Sequence, residues 1–310
     1  MQYRPLGKTG LQVSVLSFGA SSLGGVFHAV TREDGIKTVH TALDMGVNLI
    51  DVSPYYGITK AESMLGEALK GVDRSRYIMA TKVGRYGDRE FDFSARRVTA
   101  SVDESLSRMG CEYIDIIQCH DIEFVPLNII INETLPALEA LRRSGKVRFI
   151  GITGLPLKIF TTVASQAKID TILSYCRYTL FDTSLTGIIP QFQAEGIGIM
   201  SAAPVAMGLL TDRGAPDWHP APPIIRKTCA RAAEFCRSRG ADIAQLAISF
   251  AVAENRIATT IVGTANPENF RRNVTWAQSP VDGELLRGVQ EILAPIRNQT
   301  WPSGLSENND

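Results

Sequence analysis

The chain has 310 residues, 45% hydrophobic and 21% charged, and its 32 basic and 32 acidic side chains cancel to a net charge of zero. Such proportions belong to a globular protein and exclude a disordered or fibrous one, and the absence of a long basic stripe argues against nucleic acid as a partner. No apolar run reaches the ~18 residues of a membrane span, and no secretory h-region follows Met1. Cys111, Cys119, Cys176, Cys229 and Cys236 are scattered without a C-x-x-C, so reduced thiols in a cytoplasmic protein are expected.

The chain opens on Tyr3-Arg-Pro-Leu6, Gly7-Lys-Thr-Gly10 and residues 11–14, which read as a β-hairpin. Short Ile- and Val-rich runs then recur at 15–18, 47–50, 77–80, 114–117, 147–152, 171–173, 197–200 and 257–262, as expected of parallel strands buried on both faces. Helical stretches separate them. Thr31-Arg-Glu-Asp34 and Thr59-Lys-Ala-Glu62 read as capping boxes. Ser94 opens a helix that carries Val98, Val102, Ser105, Leu106 and Met109 on one face. Gly46, Gly110, Gly145 and Gly196 close helices. Cys229 and Cys236 would lie roughly 10 Å apart along one helix, too far for a disulfide.

Eight strands with intervening helices and no linker predict one α/β domain over residues 1–310. That domain is a closed (β/α)8 TIM barrel whose N-terminal face the hairpin plugs. The stretch 204–223, with Trp218 and His219, is too long for a plain connection and is expected to be functional. The tail after Arg297 is expected to fold over the barrel mouth.

Barrel enzymes carry their catalytic groups at the C-terminal ends of the strands. Asp51 ends the second strand and Tyr56 follows it; Lys82 ends the third and His120 the fourth. A lone strand-end Asp or Lys is usually a solvated or ion-paired structural residue. Four such residues on consecutive strands, at one end of one barrel, form a site. A phenol titrates near ~10 and needs help to act as acid or base near neutrality. The Lys82 ammonium is expected to lower the Tyr56 pKa, Asp51 to pair with Lys82, and His120 to hydrogen-bond the reacting oxygen.

Other chemistries fit less well. His28, His40, His120 and His219 are the only histidines, and none form the H-x-H pair of a zinc hydrolase, so no metal is expected. A glycosidase pair of Asp51 and Asp121 would have Lys82 suppressing the acid. No G-x-G-x-x-G or P-loop occurs, so any nicotinamide must bind in the barrel mouth.

Gly7-Lys-Thr-Gly10, Ser17-Phe-Gly-Ala20, Asp51-Val-Ser-Pro-Tyr-Tyr-Gly57, Ala80-Thr-Lys-Val83 and Ile117-Gln-Cys-His120 resemble the aldo-keto reductase superfamily over essentially the whole chain. Longer stretches resemble its L-galactose dehydrogenase branch. They are Phe91-Asp-Phe-Ser94, Cys119-His-Asp-Ile-Glu123, Ile150-Gly-Ile-Thr-Gly-Leu-Pro156, Leu173-Ser-Tyr-Cys176, Pro216-Asp-Trp-His-Pro220 and Gln299-Thr-Trp-Pro-Ser-Gly304.

The resemblance implies a catalytic tetrad of Asp51, Tyr56, Lys82 and His120, and a sugar touching Tyr55, His120, Asp121 and Trp301. It implies a cofactor extended across the mouth along Gly19, Thr153, Tyr175, Ala202, Pro204, Val205, Leu209, Thr211, Gly263, Thr264, Asn269 and Asn273. Its pyrophosphate would lie under the loop 205–211 and its adenosine against 263–273.

Several of these positions depart from the superfamily pattern. Thr153 and Gly154 stand where a Ser-Asn pair usually holds the carboxamide, Tyr175 stands for a Gln, and Ala202 for a stacking Tyr. Gly263 and Asn269 stand for the Lys and Arg that clamp a 2′-phosphate, which disfavours NADP and implies NAD, although Arg271 and Arg272 are close by in the chain. The resemblance thus implies oxidation of an aldose such as L-galactose at C1, to the lactone. An NADPH-dependent reductase of small aldehydes is the alternative, and a cofactor-binding regulatory subunit a third reading. Oligomeric state is not readable from the chain.

Overall fold

A computed structural model describes residues 1–26 and 29–310; His28, one of the four histidines above, lies outside the described residues. Strands β1 (Tyr3–Pro5) and β2 (Gln12–Ser14) pair antiparallel as a hairpin. Eight parallel strands follow: β3 (Leu16–Gly19), β4 (Leu49–Asp51), β5 (Ile78–Val83), β6 (Ile114–Cys119), β7 (Val147–Gly154), β8 (Thr171–Tyr175), β9 (Gly198–Ala202) and β10 (Thr259–Val262). Each pairs with its neighbour, and β10 pairs with β3 to close the barrel. The (β/α)8 barrel and its hairpin are therefore as expected.

Strand alternation decides what lines the barrel. Leu49, Ala80, Ile116, Leu173, Met200, Ala258 and Ile261 form one buried apolar cluster. Side chains two residues further on point the same way, so Asp51, Lys82, Gln118, Tyr175 and Ala202 form the next layer towards the mouth. The intervening residues face the helices: Phe18 meets Phe270 edge-on, with ring centroids 5.2 Å apart. Most strands run past their apolar stretches, as β5 does to Val83 and β7 to Gly154. Polar residues facing the mouth keep the backbone ladder, which hydrophobicity alone does not register.

The hairpin seals the other end. Leu6 is fully buried in the same apolar cluster, and Lys8 N donates to Gly196 O at 2.8 Å. The Arg4 guanidinium donates to the carbonyls of Val252, Glu254 and Ile257 at 2.8–2.9 Å. Gly7 has φ +54, and a Cβ there would collide with the backbone at Gly198; this close approach requires glycine.

Helix starts agree with expectation at two of three places. The Thr31 and Ser94 side chains accept from the backbone N–H groups of Asp34 and Arg97. The second capping box is absent. Thr59 has φ 69 and its side chain makes no cap hydrogen bond. Glu62 is instead fully buried. It accepts from Thr81 Oγ1 at 2.6 Å and from Arg108 Nε at 2.7 Å. A carboxylate with two strong side-chain donors inside the protein has no reason to turn back to the helix end.

The C-terminal tail does fold over the loop that follows β6. Leu305 N and Asn308 Nδ2 donate to Glu123 O at 2.8 and 2.9 Å.

Candidate active site

Asp51 and Lys82 end up side by side because β4 and β5 pair in parallel and both residues face inward. Lys82 Nζ donates to Asp51 Oδ1 at 2.5 Å, to Val52 O at 2.9 Å and to Tyr56 Oη at 3.2 Å. All three ammonium protons are thus used. Gln118 Nε2 donates to the other Asp51 oxygen at 2.8 Å. Tyr56 rides on a tight turn after β4 whose Gly57, φ +63, packs against the Gly24 backbone so closely that no Cβ fits.

His120 follows β6. Its Nδ1 lies 2.9 Å from Ser53 Oγ, and its ring stands perpendicular to that of Tyr56, centroids 5.5 Å apart. Its Nε2 is 3.6 Å from Asp121 Oδ2. With Ser53 donating to Nδ1, the imidazole proton sits on Nε2 beside the carboxylate; this tautomer is assigned from the partners. The four residues expected to form a tetrad do converge.

Burial governs the charges. It pulls His120 down to about 3 despite the opposing pull of Asp121, so the ring is neutral at working pH. Burial also works against the Lys82 ammonium, but Asp51 and Tyr56 outweigh it and leave Lys82 up at about 12. For Tyr56 burial raises the pKa and Lys82 offsets only part of the rise, so the net shift is upward. Lys82 thus lowers the Tyr56 pKa as expected, but a phenolate loses its hydration in this pocket and one ammonium does not replace it, so the balance lies upward.

A second group of charges adjoins the first. Arg85 Nη1 reaches Asp121 Oδ2 at 2.5 Å, and its guanidinium lies 4.0 Å over the Tyr55 ring. Tyr55 itself donates to Asp88 at 2.8 Å. Thr153 Oγ1 accepts from Asp121 N at 2.9 Å, so this hydroxyl is already engaged. Glu123 is fully buried, and its Oε1 accepts from Leu155 N, Tyr175 Oη and Ser303 Oγ at 3.0–3.3 Å. Burial and then Asp121 push its carboxyl up to about 8.

Sequence reasoning missed Gln118, Ser53, Arg85 and Glu123. Gln118 lies on β6, two residues before His120, and alternation would have flagged it. Arg85 and Glu123 carry no comparable signal.

Next to the charges, where Gly19 pairs with Asp51, the strand ends carry small residues. Gly19, Ala202 and Gly263 belong to three adjacent strands or their ends. A Cβ on Gly263 would stand 2.9 Å from Gly19 O. Gly19 and Gly263 thus approach each other closely, with no room for a side chain between them. Pro204 and Leu209 are buried, Leu209 in an apolar cluster with Ala206 and Ile225, while Val205 and Thr211 are half-buried. Thr264 and Asn273 are half-buried too; Asn269 is exposed and accepts from Arg272 Nη2 at 2.5 Å. Arg271 lies 3.6 Å from Glu268. Asn269, Arg271, Arg272 and Glu268 line a cavity of about 490 Å³ that Thr264 and Asn273 do not reach. A larger one, about 620 Å³, opens between Lys70 and Tyr113 and shares no residue with the tetrad.

Trp301 is buried, its ring edge-on to His219 at 4.9 Å. Through His219, Ala206 and Leu209 it packs against the loop 204–223. Among the described residues no cluster of His, Cys, Asp or Glu could hold a metal ion, and no helix is long and apolar enough to cross a membrane.

Residues 15–294 match the Aldo/keto reductase family. The chain belongs to that family. Aldo-keto reductases use nicotinamide cofactors, and this one is an NAD(P)-dependent oxidoreductase. L-galactose dehydrogenase of Arabidopsis thaliana is 47% identical, the match covering 99% of each chain. D-threo-aldose 1-dehydrogenase of Pseudomonas sp is 27% identical over 91% of this chain and 94% of its own length. Among solved structures, an aldo-keto reductase of Bacillus halodurans (holo form) superposes with a TM-score of 0.81 at 25% identity, covering 100% of both chains.

Proposed function

We propose that this aldo-keto reductase, acting as a single barrel domain in the cytoplasm, oxidises an aldose at C1 with NAD and releases the aldonolactone. L-galactose, or a sugar of similar stereochemistry, is the substrate. The observation that carries the reading is Tyr56 Oη at 3.2 Å from Lys82 Nζ, beside a neutral His120. The similarity to an L-galactose dehydrogenase supports the choice of sugar.

Bound NAD supplies the acceptor for the hydrogen and electron pair leaving C1. Tyr56 Oη accepts the proton of the C1 hydroxyl, and Lys82 stabilises the phenolate on which this depends. Asp51 and Gln118 hold Lys82 in register and keep its charge compensated. The His120 Nε2–H donates to the sugar oxygen and orients C1. Tyr55, Asp121 and Trp301 bound the sugar.

The cofactor would lie along Gly19, Thr153, Tyr175 and Ala202, pass the loop of Pro204, Val205, Leu209 and Thr211, and end at Gly263, Thr264, Asn269 and Asn273. NAD is preferred because Gly263 bears no cation and Asn269 is neutral. Arg271 and Arg272 already have partners in Glu268 and Asn269. One observation favours the NADPH-dependent reading: Arg272 reaches Asn269, where a 2′-phosphate would bind.

A panel of aldoses assayed with NAD and NADP tests the proposal. L-galactose with NAD should give the highest kcat/KM. Turnover of small aldehydes with NADPH, and of no aldose with NAD, would overturn it.

A further inference from the structure

Beside the tetrad lies an ion pair that the proton relay does not use. Arg85 follows Lys82 by three residues and points its Nη1 at Asp121 Oδ2, 2.5 Å away. Its side chain is 15% exposed and that of Asp121 9%. An ion pair so buried is weak evidence of stabilisation, because the desolvation of both charges offsets their attraction. The pair is also incompletely satisfied: the Arg85 Nε–H is buried and has no hydrogen-bond partner.

What holds the guanidinium is aromatic. It lies 4.0 Å over the Tyr55 ring and 5.3 Å from each of the rings of Phe91 and Phe124. Such contacts orient the plane and leave the N–H donors unspent.

Asp121 is held as firmly. Its φ of 52 turns the chain sharply after His120, and its backbone N–H is tied to Thr153. The same Oδ2 that meets Arg85 lies 3.6 Å from His120 Nε2. A fixed acceptor and a fixed donor fork therefore flank the nitrogen that faces the reacting oxygen. A sugar hydroxyl is both donor and acceptor, and vicinal hydroxyl oxygens lie about a hydrogen-bond length apart. A hydroxyl one carbon from the reacting centre meets both partners at once.

We propose that Arg85, with Asp121, is a specificity-determining clamp for the hydroxyl adjacent to the reacting carbon, so that the enzyme selects a polyhydroxylated sugar over a plain aldehyde or alcohol. This rests on the aldose reading above. Donation from a guanidinium to a hydroxyl is a charge-assisted bond, and its loss lowers kcat/KM ~10- to 150-fold.

The test compares L-galactose with its 2-deoxy analogue, both with NAD. The wild type should favour L-galactose by that factor. Arg85→Met should collapse the preference to less than ~3-fold, mainly by lowering kcat/KM for L-galactose, and Arg85→Lys should restore part of it. A merely structural role would slow both sugars equally and leave the ratio intact. An intact ratio in Arg85→Met, or in Arg85→Lys if the methionine variant does not fold, overturns the clamp. A wild type that oxidises neither sugar overturns the aldose reading itself, a separate result.

Discussion

The two ends of the barrel answer the same packing problem in opposite ways. At the bottom, the hairpin inserts the fully buried Leu6 between the strand starts, and Arg4 spends its donors on three backbone carbonyls. At the mouth, Asp51, Lys82, His120, Asp121 and Glu123 are all buried, and Arg85 Nε and Glu123 Oε2 have no partner. Buried charge costs stability, and a fold keeps it where something other than stability depends on it. Chemistry should therefore respond to substitutions at the mouth, and stability alone to substitutions at the bottom.

Tyr56→Phe should break that contrast most severely. Removing only the proton acceptor is expected to lower kcat ~10²- to 10⁴-fold while reduced-cofactor binding, read by fluorescence, stays within a factor of two. A variant that keeps more than a tenth of wild-type kcat would exclude Tyr56 from the role. In the wild type, the raised Tyr56 pKa should make the oxidation rate climb towards alkaline pH. His120, down at about 3, should add no inflection near 6.5.

Lys82→Met strikes the ion pair. Leaving Asp51 buried without its cation should cost about 3–5 kcal/mol of unfolding free energy. Residual activity should appear only at higher pH, because Tyr56 loses the one charge that lowers its pKa. Denaturant melts and pH–rate profiles read the two effects; an unchanged profile in an active variant would make Lys82 purely structural.

Leu6→Ala probes the other end. Deleting this fully buried side chain should cost about 2–5 kcal/mol, with kcat within a factor of two of wild type at a temperature where the variant is folded. A large loss of kcat there would dissolve the distinction between the two ends.

A pH-dependent effect on stability is expected at Glu123, whose carboxyl is pushed from 4.5 up to about 8. With the folded-state pKa above the unfolded one, its contribution to stability is complete below about 4.5 and is lost as pH rises through about 8. Glu123→Gln mimics the protonated acid and should flatten the fall of Tm across that window. Parallel Tm–pH curves for the two proteins would show that Glu123 does not titrate there.

The contrast also explains which features were legible in the chain. The barrel and tetrad follow from alternation: apolar runs end in Asp51, Lys82 and His120 at one strand end, and parallel pairing does the rest. Arg85 and Glu123 stayed hidden because loops fold them back over the mouth. Asp121 turns the chain with φ 52, and Glu123 then meets Ser303, 180 residues away. Thr59 failed as a cap for a similar reason, since Glu62 answers to Thr81 and Arg108 on other elements. The net Tyr56 shift is not legible in the chain because desolvation depends on the whole wall of the pocket, and no local spacing encodes it.

The central claim is that the mouth moves hydrogen from C1 of a sugar to the nicotinamide. L-galactose carrying deuterium at C1 tests it most directly. With NAD, the reduced cofactor should gain one deuterium by mass spectrometry, and the lactone should carry none at C1. Unlabelled reduced cofactor, or deuterium retained in the sugar product, would contradict the account.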